Sequence, residues 1–295
     1  MKITKIEFKH TINLAYDPQT DRYTYENKDK SFSLILEEEK QNHKTIDNWL
    51  KTGLLYESDV SGVLCRLLKP NDIAVDIGAN IGFHTFLMSS LVEATGRVYA
   101  YEPALESIRE LESNKILNKA LNVTINQKLL GERHGEKVDF HFSLQDSGTS
   151  YAIRTKDKPE IGWERMMTYS LNDELKSQTN IKLIKLDVEG FEGNILRGAS
   201  DLLVGNRVKY WVVEYAPHCL ARNGDNLESL RSFMADFGLD MFVLDAQGGF
   251  PKLWPEGLYL VTRFIPNLLF AKKDELVKDW AMDDVSKFVS PPSNW

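Results

Sequence analysis

Residues 72–82 read Asp-Ile-Ala-Val-Asp-Ile-Gly-Ala-Asn-Ile-Gly, and the rest of the chain can be interpreted from them. The apolar run at 73–77 predicts a strand that is buried on both faces. Gly78 and Gly82 interrupt this run, and apolar residues at helical spacing follow over 83–91. The order strand, glycine turn, helix is typical of an α/β sheet that holds a nucleotide-type ligand, because glycine lets the backbone approach the ligand closely.

The residues of the turn indicate the kind of ligand. A dinucleotide fingerprint has the form G-x-G-x-x-G, and its second glycine makes room for pyrophosphate. Asn80 stands at that place, Asp76 precedes the turn, and residues 70–96 contain no lysine or arginine. A carboxylate there would repel phosphate but could pair with an ammonium group. S-adenosylmethionine carries an ammonium, a sulfonium and no phosphate, and its carboxylate could bind the N–H groups that open the next helix.

A second acid supports an adenosine ligand. Residues 97–101 predict a second strand, and Glu102 follows it, 20 residues beyond Gly82. An acid at this position can bind ribose hydroxyls. NAD would need the same acid, so Glu102 does not by itself choose between the two cofactors.

Composition limits the class of protein. The chain has 295 residues, 42% of them hydrophobic and 27% charged, which is ordinary for a globular protein. This length suffices for one large α/β domain with extensions or for two small domains. The formal net charge of −7 argues against non-specific binding to nucleic acid or anionic membrane. The two cysteines form no C-x-x-C pattern, and neither a signal peptide nor a membrane span is recognisable, so we expect a cytoplasmic protein.

Strands alternate with helical patterns from residue 73 onward, which predicts a mostly parallel sheet with helices on both faces. The last two strands leave no room for a helix between them and predict an antiparallel hairpin at one edge. Strands are expected at 73–77, 97–102, 122–126, 138–142, 181–187, 210–214, 241–244, 258–261 and 267–271. Four acids follow or end these strands and should meet at one crevice: Asp76, Glu102, Asp187 and Glu214.

Three segments flank or interrupt this pattern. Residues 1–70 predict a strand hairpin around 3–8 and 23–36 and then helical spacing over 46–68, and we expect a lid or buttress over the cofactor turn. The polar residues 145–162 are a candidate substrate loop. The tail at 274–295 has apolar residues at helical spacing, which could cover the core or pair with a second subunit as a homodimer.

Three acids lie close together at the next strand-to-helix junction, Asp187, Glu189 and Glu192. For Glu192 we favour a structural role, because an acid in the first turn of a helix complements the helix dipole. Asp187 ends a buried strand at the expected crevice and is a candidate for chemistry.

The motifs together resemble a known family. VDIGANIGFHT at 75–85, AYEP at 100–103 and KLDVEGFEGNILRGA at 185–199 are similar to those of the FkbM family of S-adenosylmethionine-dependent methyltransferases, and the resemblance runs from about 46 to 273. It implies the Rossmann-like class I methyltransferase fold, a seven-stranded sheet of order 3-2-1-4-5-7-6. With the pattern along the chain, we expect an N-terminal extension at 1–70, a methyltransferase domain at 71–273 and a tail at 274–295. Family members mostly methylate hydroxyl groups of sugars and secondary metabolites.

The resemblance also assigns residues. Its cofactor-turn motif matches Asp76, Gly78, Ala79, Asn80 and Gly82, with Thr85 closing the turn, and its ribose-binding acid matches Glu102, followed by Pro103. Asp187 and Glu189 match acids that face the transferred methyl group.

A hydroxyl acceptor is a poor nucleophile while protonated, so a positioned base would help. Asp187 is the first candidate. His218, four residues after Glu214, is a rival because the unperturbed pKa of histidine is near 6.5. Asp187, Glu189 and His218 could together hold an assisting metal, but they show no recognised metal-ligand spacing, so we expect none. The resemblance implies that the acceptor is a small molecule or a glycan.

Three other functions compete. A NAD-dependent sugar oxidoreductase commonly uses a Tyr-x-x-x-Lys pair, and no tyrosine here is followed four residues later by lysine. An amino-group DNA methyltransferase would have a Pro-Pro-aromatic motif after the fourth strand, where this chain has Asp187-Val-Glu. A non-catalytic, cofactor-holding interaction module would have no need of the acids at 187 and 189.

Overall fold

The computed structural model describes residues 1–17, 22–143, 149–154, 162–245, 251–255, 260 and 265–280, and between 11 and 27 it describes the backbone of two strands only. The strands are β1 (Lys2–Asp17), β2 (Arg22–Leu36), β3 (Ile73–Ile77), β4 (Arg97–Tyr101), β5 (Val123–Asn126), β6 (Leu129–Gly131), β7 (Lys137–His141), β8 (Tyr151–Arg154), β9 (Trp163–Ser170), β10 (Ile181–Leu186), β11 (Val208–Glu214), β12 (Asp240–Val243), β13 (Lys252–Leu253) and β14 (Asn267–Ala271). The helices are α1 (Gln41–Lys51), α2 (Ser58–Leu67), α3 (Phe83–Val92), α4 (Leu105–Asn118), α5 (Leu171–Glu174), α6 (Glu192–Arg197), α7 (Ser200–Val204), α8 (Pro217–Arg222), α9 (Leu227–Ala235) and α10 (Lys273–Trp280).

Eight of these strands form the main sheet, in the order β13-β12-β14-β11-β10-β3-β4-β5. The central strands β11, β10, β3, β4 and β5 are parallel, and β14 runs antiparallel to both of its neighbours. The predicted α/β class and the mostly parallel sheet are confirmed. The sheet has eight strands rather than the expected seven, because the two-residue strand β13 pairs with the edge strand β12. Without β13, the strands follow the order 3-2-1-4-5-7-6.

Helices and extensions cover both faces of this sheet. Along β3, Ala74 packs on the side of the N-terminal strands and α3, whereas Val75 and Ile77 pack on the opposite side beneath α6 and the smaller sheet. A strand in contact with two cores must be apolar on both faces, which explains the continuous apolar run in its sequence. Asp76 is the exception within this run, and its burial therefore needs compensation.

The N-terminal segment forms a two-stranded antiparallel ribbon, β1 and β2, as predicted but longer. The ribbon is held on α4 by side chains of that helix. Ser33 N–H donates to Asn118 Oδ1 at 2.7 Å, and Ile35 N–H donates to Asn114 Oδ1 at 2.8 Å. The ribbon therefore buttresses the helix that follows the second strand of the main sheet.

The helical spacing at 46–68 corresponds to two helices, α1 and α2. The chain turns between α1 and α2, where Gly53 has φ +80° and Glu57 has φ +45°. These left-handed conformations end α1 and start α2, because an α-helix cannot continue through them.

A second, four-stranded sheet in the order β6-β9-β7-β8 lies between β5 and β10 in sequence. The predicted substrate loop at 145–162 falls partly within it. Residues 144–148 and 155–161 lie outside the described residues, but β8 in the middle of this segment is a strand that pairs with β7. Ala152 of β8 is buried opposite Phe140, and this burial explains the departure from a loop.

The end of the chain is helical as far as it is described. Leu276 and Trp280 of α10 are buried in the core beside α2, and both Nε and Nη2 of Arg66 donate to the carbonyl oxygen of Trp280. Within this part of the tail the apolar face covers the core. Residues 281–295 and most of the strand expected at 258–261 lie outside the described residues. Over the part of the chain that the structure describes, no helix combines the length and apolar character that a membrane crossing needs.

Candidate active site

A cavity of about 290 Å³ opens at the carboxyl ends of β3, β4, β10 and β11. All four acids that were expected to meet at one crevice line it. Its acidic lining residues are Glu57, Asp76, Glu102, Asp187, Glu189 and Glu214, and its basic ones are Lys128 and Lys185, with His84 beside them. Acidic side chains outnumber basic ones in this lining, and a positively charged ligand would favour their ionised forms.

The glycine turn between β3 and α3 forms one wall of the cavity. Gly78 and Ala79 donate their N–H groups to the carbonyl oxygen of Tyr101, at 3.0 and 3.1 Å, which fixes the turn against β4. Gly78 has φ +79° and Gly82 has φ +99°, a conformation that glycine adopts without strain. Gly78, Ala79 and Asn80 line the cavity, whereas Gly82 packs behind it against the rings and methyls of α3 and α4.

Glu102 lies at the end of β4 with Pro103, and both line the cavity. One carboxylate oxygen, Oε2, accepts the N–H of Asn80 at 3.0 Å, and Oε1 accepts the N–H of Ala104 at 2.9 Å. Burial raises the pKa of Glu102 to about 7, although these two hydrogen bonds oppose the shift. Each carboxylate oxygen has a second lone pair, so the residue can also accept ribose hydroxyls.

Asp76 lines the cavity, but its carboxylate is almost completely buried. The side chain is 1% exposed; Thr85 Oγ1 donates to its Oδ2 at 2.6 Å, and its Oδ1 lies 3.7 Å from Lys185 Nζ. Burial raises the pKa of Asp76, and Lys185 opposes that shift. The protein thus already places a cation near Asp76, and the expectation that Asp76 pairs with a ligand ammonium stays a prediction. Thr85 is fully buried and acts on Asp76 rather than on the cavity.

Lys185 lies on β10, beside Asp76 of the neighbouring strand β3. Its Nζ donates to Asp187 Oδ2 at 2.9 Å, and its Cα is in register with that of Asp76 on β3. Burial lowers the pKa of Lys185, but the surrounding carboxylates of Asp187, Asp76 and Glu57 outweigh burial and raise it above its ordinary value. Lys185 is therefore a cation held by the acids around it.

The acids beyond β10 and β11 form a cluster. One side-chain oxygen each of Asp187, Glu189 and Glu214 lie within 4.8 Å of one another, and Glu189 Oε2 also accepts the Sγ–H of Cys219 at 3.3 Å. Burial and then the neighbouring carboxylates raise the pKa of Glu214 well above its ordinary value. A cation could bind among these oxygens, but acidic groups often lie together without an ion, so the cluster alone does not define a metal site.

His218 lies away from this cluster. It is exposed on α8 and is not among the described residues that line the cavity. The interval of four residues after Glu214 suggested proximity, but the chain turns into α8 at Pro217 and carries the imidazole to the surface. This position does not support the expectation that His218 competes with Asp187 as a base, which stays a prediction.

Glu192 has the structural role that the sequence suggested, with a different partner. Its Oε1 accepts the N–H groups of Val188 and Gly190, at 3.1 and 3.2 Å, and so holds the turn that carries Asp187 and Glu189. Burial raises the pKa of Glu192 to about 7.

The sequence predicted an N-terminal lid or buttress over the cofactor turn, but it did not identify the residues of this segment that line the cavity. Glu57, Tyr56 and residues of α1 line the cavity beside the glycine turn. The sequence feature that could have indicated Glu57 is an acid in the short break between two amphipathic helices. This feature alone does not distinguish Glu57 from an ordinary surface residue.

The cavity has the arrangement of a Rossmann-like cofactor site of the class I methyltransferase type. A glycine turn follows β3, an acid follows β4, and further acids lie at the ends of β10 and β11. The sequence model of the family described as "Methyltransferase FkbM domain" matches residues 76–241, more than half of the chain. The protein belongs to this family, and its cofactor is S-adenosylmethionine.

A curated relative is the hexuronic acid methyltransferase AglP of Haloferax volcanii, which is 25% identical over 169 residues. The match covers 56% of this chain and 65% of the relative, so the chain spans less than two thirds of the relative's length.

Solved structures with a similar chain path include a methyltransferase FkbM from Methylobacillus flagellatus, with a TM-score of 0.44 and 14% identity over 78% of this chain and 54% of that one. An S-adenosylmethionine-dependent O-methyltransferase from Thermotoga maritima gives a TM-score of 0.43 and 14% identity over 82% and 74% of the two chains. The fold assignment rests on the strand order given above.

Proposed function

We propose that the protein transfers the methyl group of S-adenosylmethionine to a hydroxyl group of a sugar, a glycan or another secondary metabolite. The observation that carries this proposal is that one cavity contains both halves of the reaction. The glycine turn and Glu102 line one part of it, and Asp187, Glu189 and Glu214 line another.

The residues present fit the cofactor. Glu102 would hold the ribose hydroxyls, the turn at Gly78–Asn80 would pass beside the adenosine, and the open N–H groups at the start of α3 would bind the carboxylate. Alanine at position 78 would place its Cβ 1.8 Å from the carbonyl oxygen of Asp187, so the turn and the acidic junction are already in contact. When bound, S-adenosylmethionine supplies an electrophilic methyl group on a sulfonium.

The chain itself has to orient the acceptor and take its proton. We assign proton acceptance to Asp187, which Lys185 holds by one oxygen, Oδ2. A base in this position would contribute about 10²–10⁴-fold, provided that the acceptor oxygen is aligned at roughly 3–3.5 Å from the methyl carbon. Glu189 would help to shape the acceptor end of the cavity. We expect no need for a metal, because the sulfonium already activates the methyl group.

The class of acceptor is supported by the relative named as a hexuronic acid methyltransferase. We propose the division into an extension at 1–70, a methyltransferase domain at 71–273 and a tail at 274–295. We also propose a cytoplasmic location, which the two free thiols of Cys65 and Cys219 support. A homodimer remains an untested expectation.

The proposal is tested by incubating the purified protein with methyl-labelled S-adenosylmethionine and a panel of uronic acids, neutral hexoses and phenols. Transfer of label to a hydroxyl of one acceptor class supports it. Asp187→Asn should reduce transfer by about 10²–10⁴-fold, and His218→Ala, on the exposed face of α8, should change it less than about twofold. Transfer that is unaffected by Asp187→Asn would remove Asp187 as the base. Oxidation of a sugar with NAD would favour the oxidoreductase, and cofactor binding without transfer to any acceptor would favour the non-catalytic module.

A further inference from the structure

A carboxylate is the side-chain group that best matches the charge of the α-ammonium group of S-adenosylmethionine, and this inference rests on the proposed function. Asp76 was the expected partner, but it is buried between Thr85 and Lys185. The ammonium and the carboxylate of the cofactor are attached to the same carbon atom. The acid that binds the ammonium must therefore lie beside the start of α3, where the carboxylate is expected.

Glu57 meets this requirement. It lines the cavity, and its Oε2 lies 3.8 Å from Nε2 of His84, the second residue of α3. Three quarters of its side-chain surface is buried, with 25% exposed. It thus faces the cavity at the end where the amino-acid part of the cofactor would lie.

The backbone at Glu57 is consistent with this use of its side chain. Glu57 is the N-cap residue of α2, but its side chain makes no capping bond to the described N–H groups of that helix. Its φ of +45° is unfavourable for a residue with a Cβ. Such strained residues are concentrated at functional sites, where the side chain must point in a fixed direction.

The charges around Glu57 leave it in need of a cation. The titratable and charged groups that face it are Tyr56, Asp59, His84, Lys185, Asp187 and Glu214. Burial holds the pKa of His84 well below its usual range, so this ring is neutral, and Lys185 is bonded to Asp187. Among the described residues, no lysine or arginine forms an ion pair with Glu57. Burial and the Asp187 carboxylate raise its pKa to about 8.

We propose that Glu57 binds the α-ammonium group of S-adenosylmethionine, so that the N-terminal segment completes the cofactor site of the methyltransferase domain. An ammonium beside this carboxyl group stabilises its ionised form. Near pH 7, where Glu57 of the free protein is largely protonated, cofactor binding therefore releases a proton, and affinity increases as the pH rises toward 8.

The test is calorimetric titration of Glu57→Gln and of the wild type with S-adenosylmethionine and with 5′-methylthioadenosine, which lacks the ammonium and the carboxylate. We expect Glu57→Gln to weaken S-adenosylmethionine about 10- to 100-fold, the range for a lost hydrogen bond between charged groups. Its affinity for 5′-methylthioadenosine should be unchanged. Titration in phosphate and in Tris, which differ in ionisation enthalpy, should show proton release by the wild type and less by the variant. The matched control is Glu39→Gln, an exposed glutamate of the same segment, which should behave as the wild type.

Each contrary result of this experiment leads to a different conclusion. Equal weakening of both ligands would mean that Glu57 only supports the cavity wall, and would overturn the inference. Unchanged affinity for S-adenosylmethionine with reduced turnover would make Glu57 a base, and would also overturn it. A wild type that binds neither ligand would contradict the proposed function itself.

Discussion

At Gly78, a Cβ atom would lie 1.8 Å from the backbone carbonyl oxygen of Asp187. The glycine turn after β3 is therefore in direct backbone contact with the acidic junction after β10. This contact fixes the position of the candidate base relative to the turn, and it requires glycine for reasons of space as well as conformation.

The left-handed conformation alone should make Gly78→Ala destabilising by about 1–2 kcal/mol. We predict a larger loss, because the atom next to the added Cβ belongs to the backbone and cannot move aside. The matched control is Gly135→Ala, where φ is +78° and no described atom lies within 4 Å of the added Cβ. Urea denaturation of both variants measures the difference. Equal losses of unfolding free energy would show that the contact has no effect.

Lys185→Met should destabilise the protein by about 3–5 kcal/mol, because it leaves the buried carboxylate of Asp76 without its cation. The side chains of Lys185 and Asp76 are 3% and 1% exposed. Lys5→Met serves as the control, since Lys5 pairs with Glu7 at the surface and such pairs contribute little. Chemical denaturation followed by circular dichroism measures the unfolding free energy of both variants. An equally small loss of unfolding free energy in the two would contradict the prediction.

Glu192→Gln should change the pH dependence of stability. The raised pKa of Glu192, about 7 against an ordinary 4.5, means that the folded state binds a proton more tightly than the unfolded state. Its stabilising contribution is complete below pH 4.5 and is lost as the pH rises through 7. The variant should therefore match the wild type near pH 4.5 and exceed it by about 3 kcal/mol at pH 8. Urea denaturation midpoints of the variant and the wild type at both pH values measure this effect. If the stability difference between the two proteins were the same at both pH values, the raised pKa of Glu192 would be disproved.

Glu102→Ala should weaken binding of S-adenosylmethionine about 10- to 100-fold, as expected for lost hydrogen bonds between ribose hydroxyls and a carboxylate. Glu106→Ala, at an exposed position in the first turn of α4, should leave affinity unchanged. Calorimetric titration compares the two, and an unaffected Glu102→Ala would exclude the ribose assignment.

Much of the fold could be predicted because it depends on local patterns. The apolar run at 73–77, the glycines that follow it and the acid at 102 each indicate a local structure, and their order along the chain indicates a parallel sheet. The edge strand β13 has only two residues, too few to show a periodic pattern. The break between α1 and α2 depends on the backbone conformation at Gly53 and Glu57, which helical spacing does not reveal.

The candidate site was predictable only in part, because burial and pairing depend on distant contacts. The sequence identified Asp76 as an acid at the turn but could not show that Lys185, on another strand, neutralises it. It could not place Glu57 in the cavity, since 130 residues separate Glu57 from Asp187 along the chain. Proximity in sequence was misleading for His218, because it lies exposed on α8 and does not line the cavity as Glu214 does.

The central claim is that the cavity above Gly78 holds a positively charged, phosphate-free adenosine cofactor. The most direct measurement is isothermal titration calorimetry of the purified protein with S-adenosylmethionine and, separately, with NAD. We predict saturable binding of one S-adenosylmethionine per chain and no detectable binding of NAD at the same concentrations. Saturable binding of NAD without binding of S-adenosylmethionine would contradict the account.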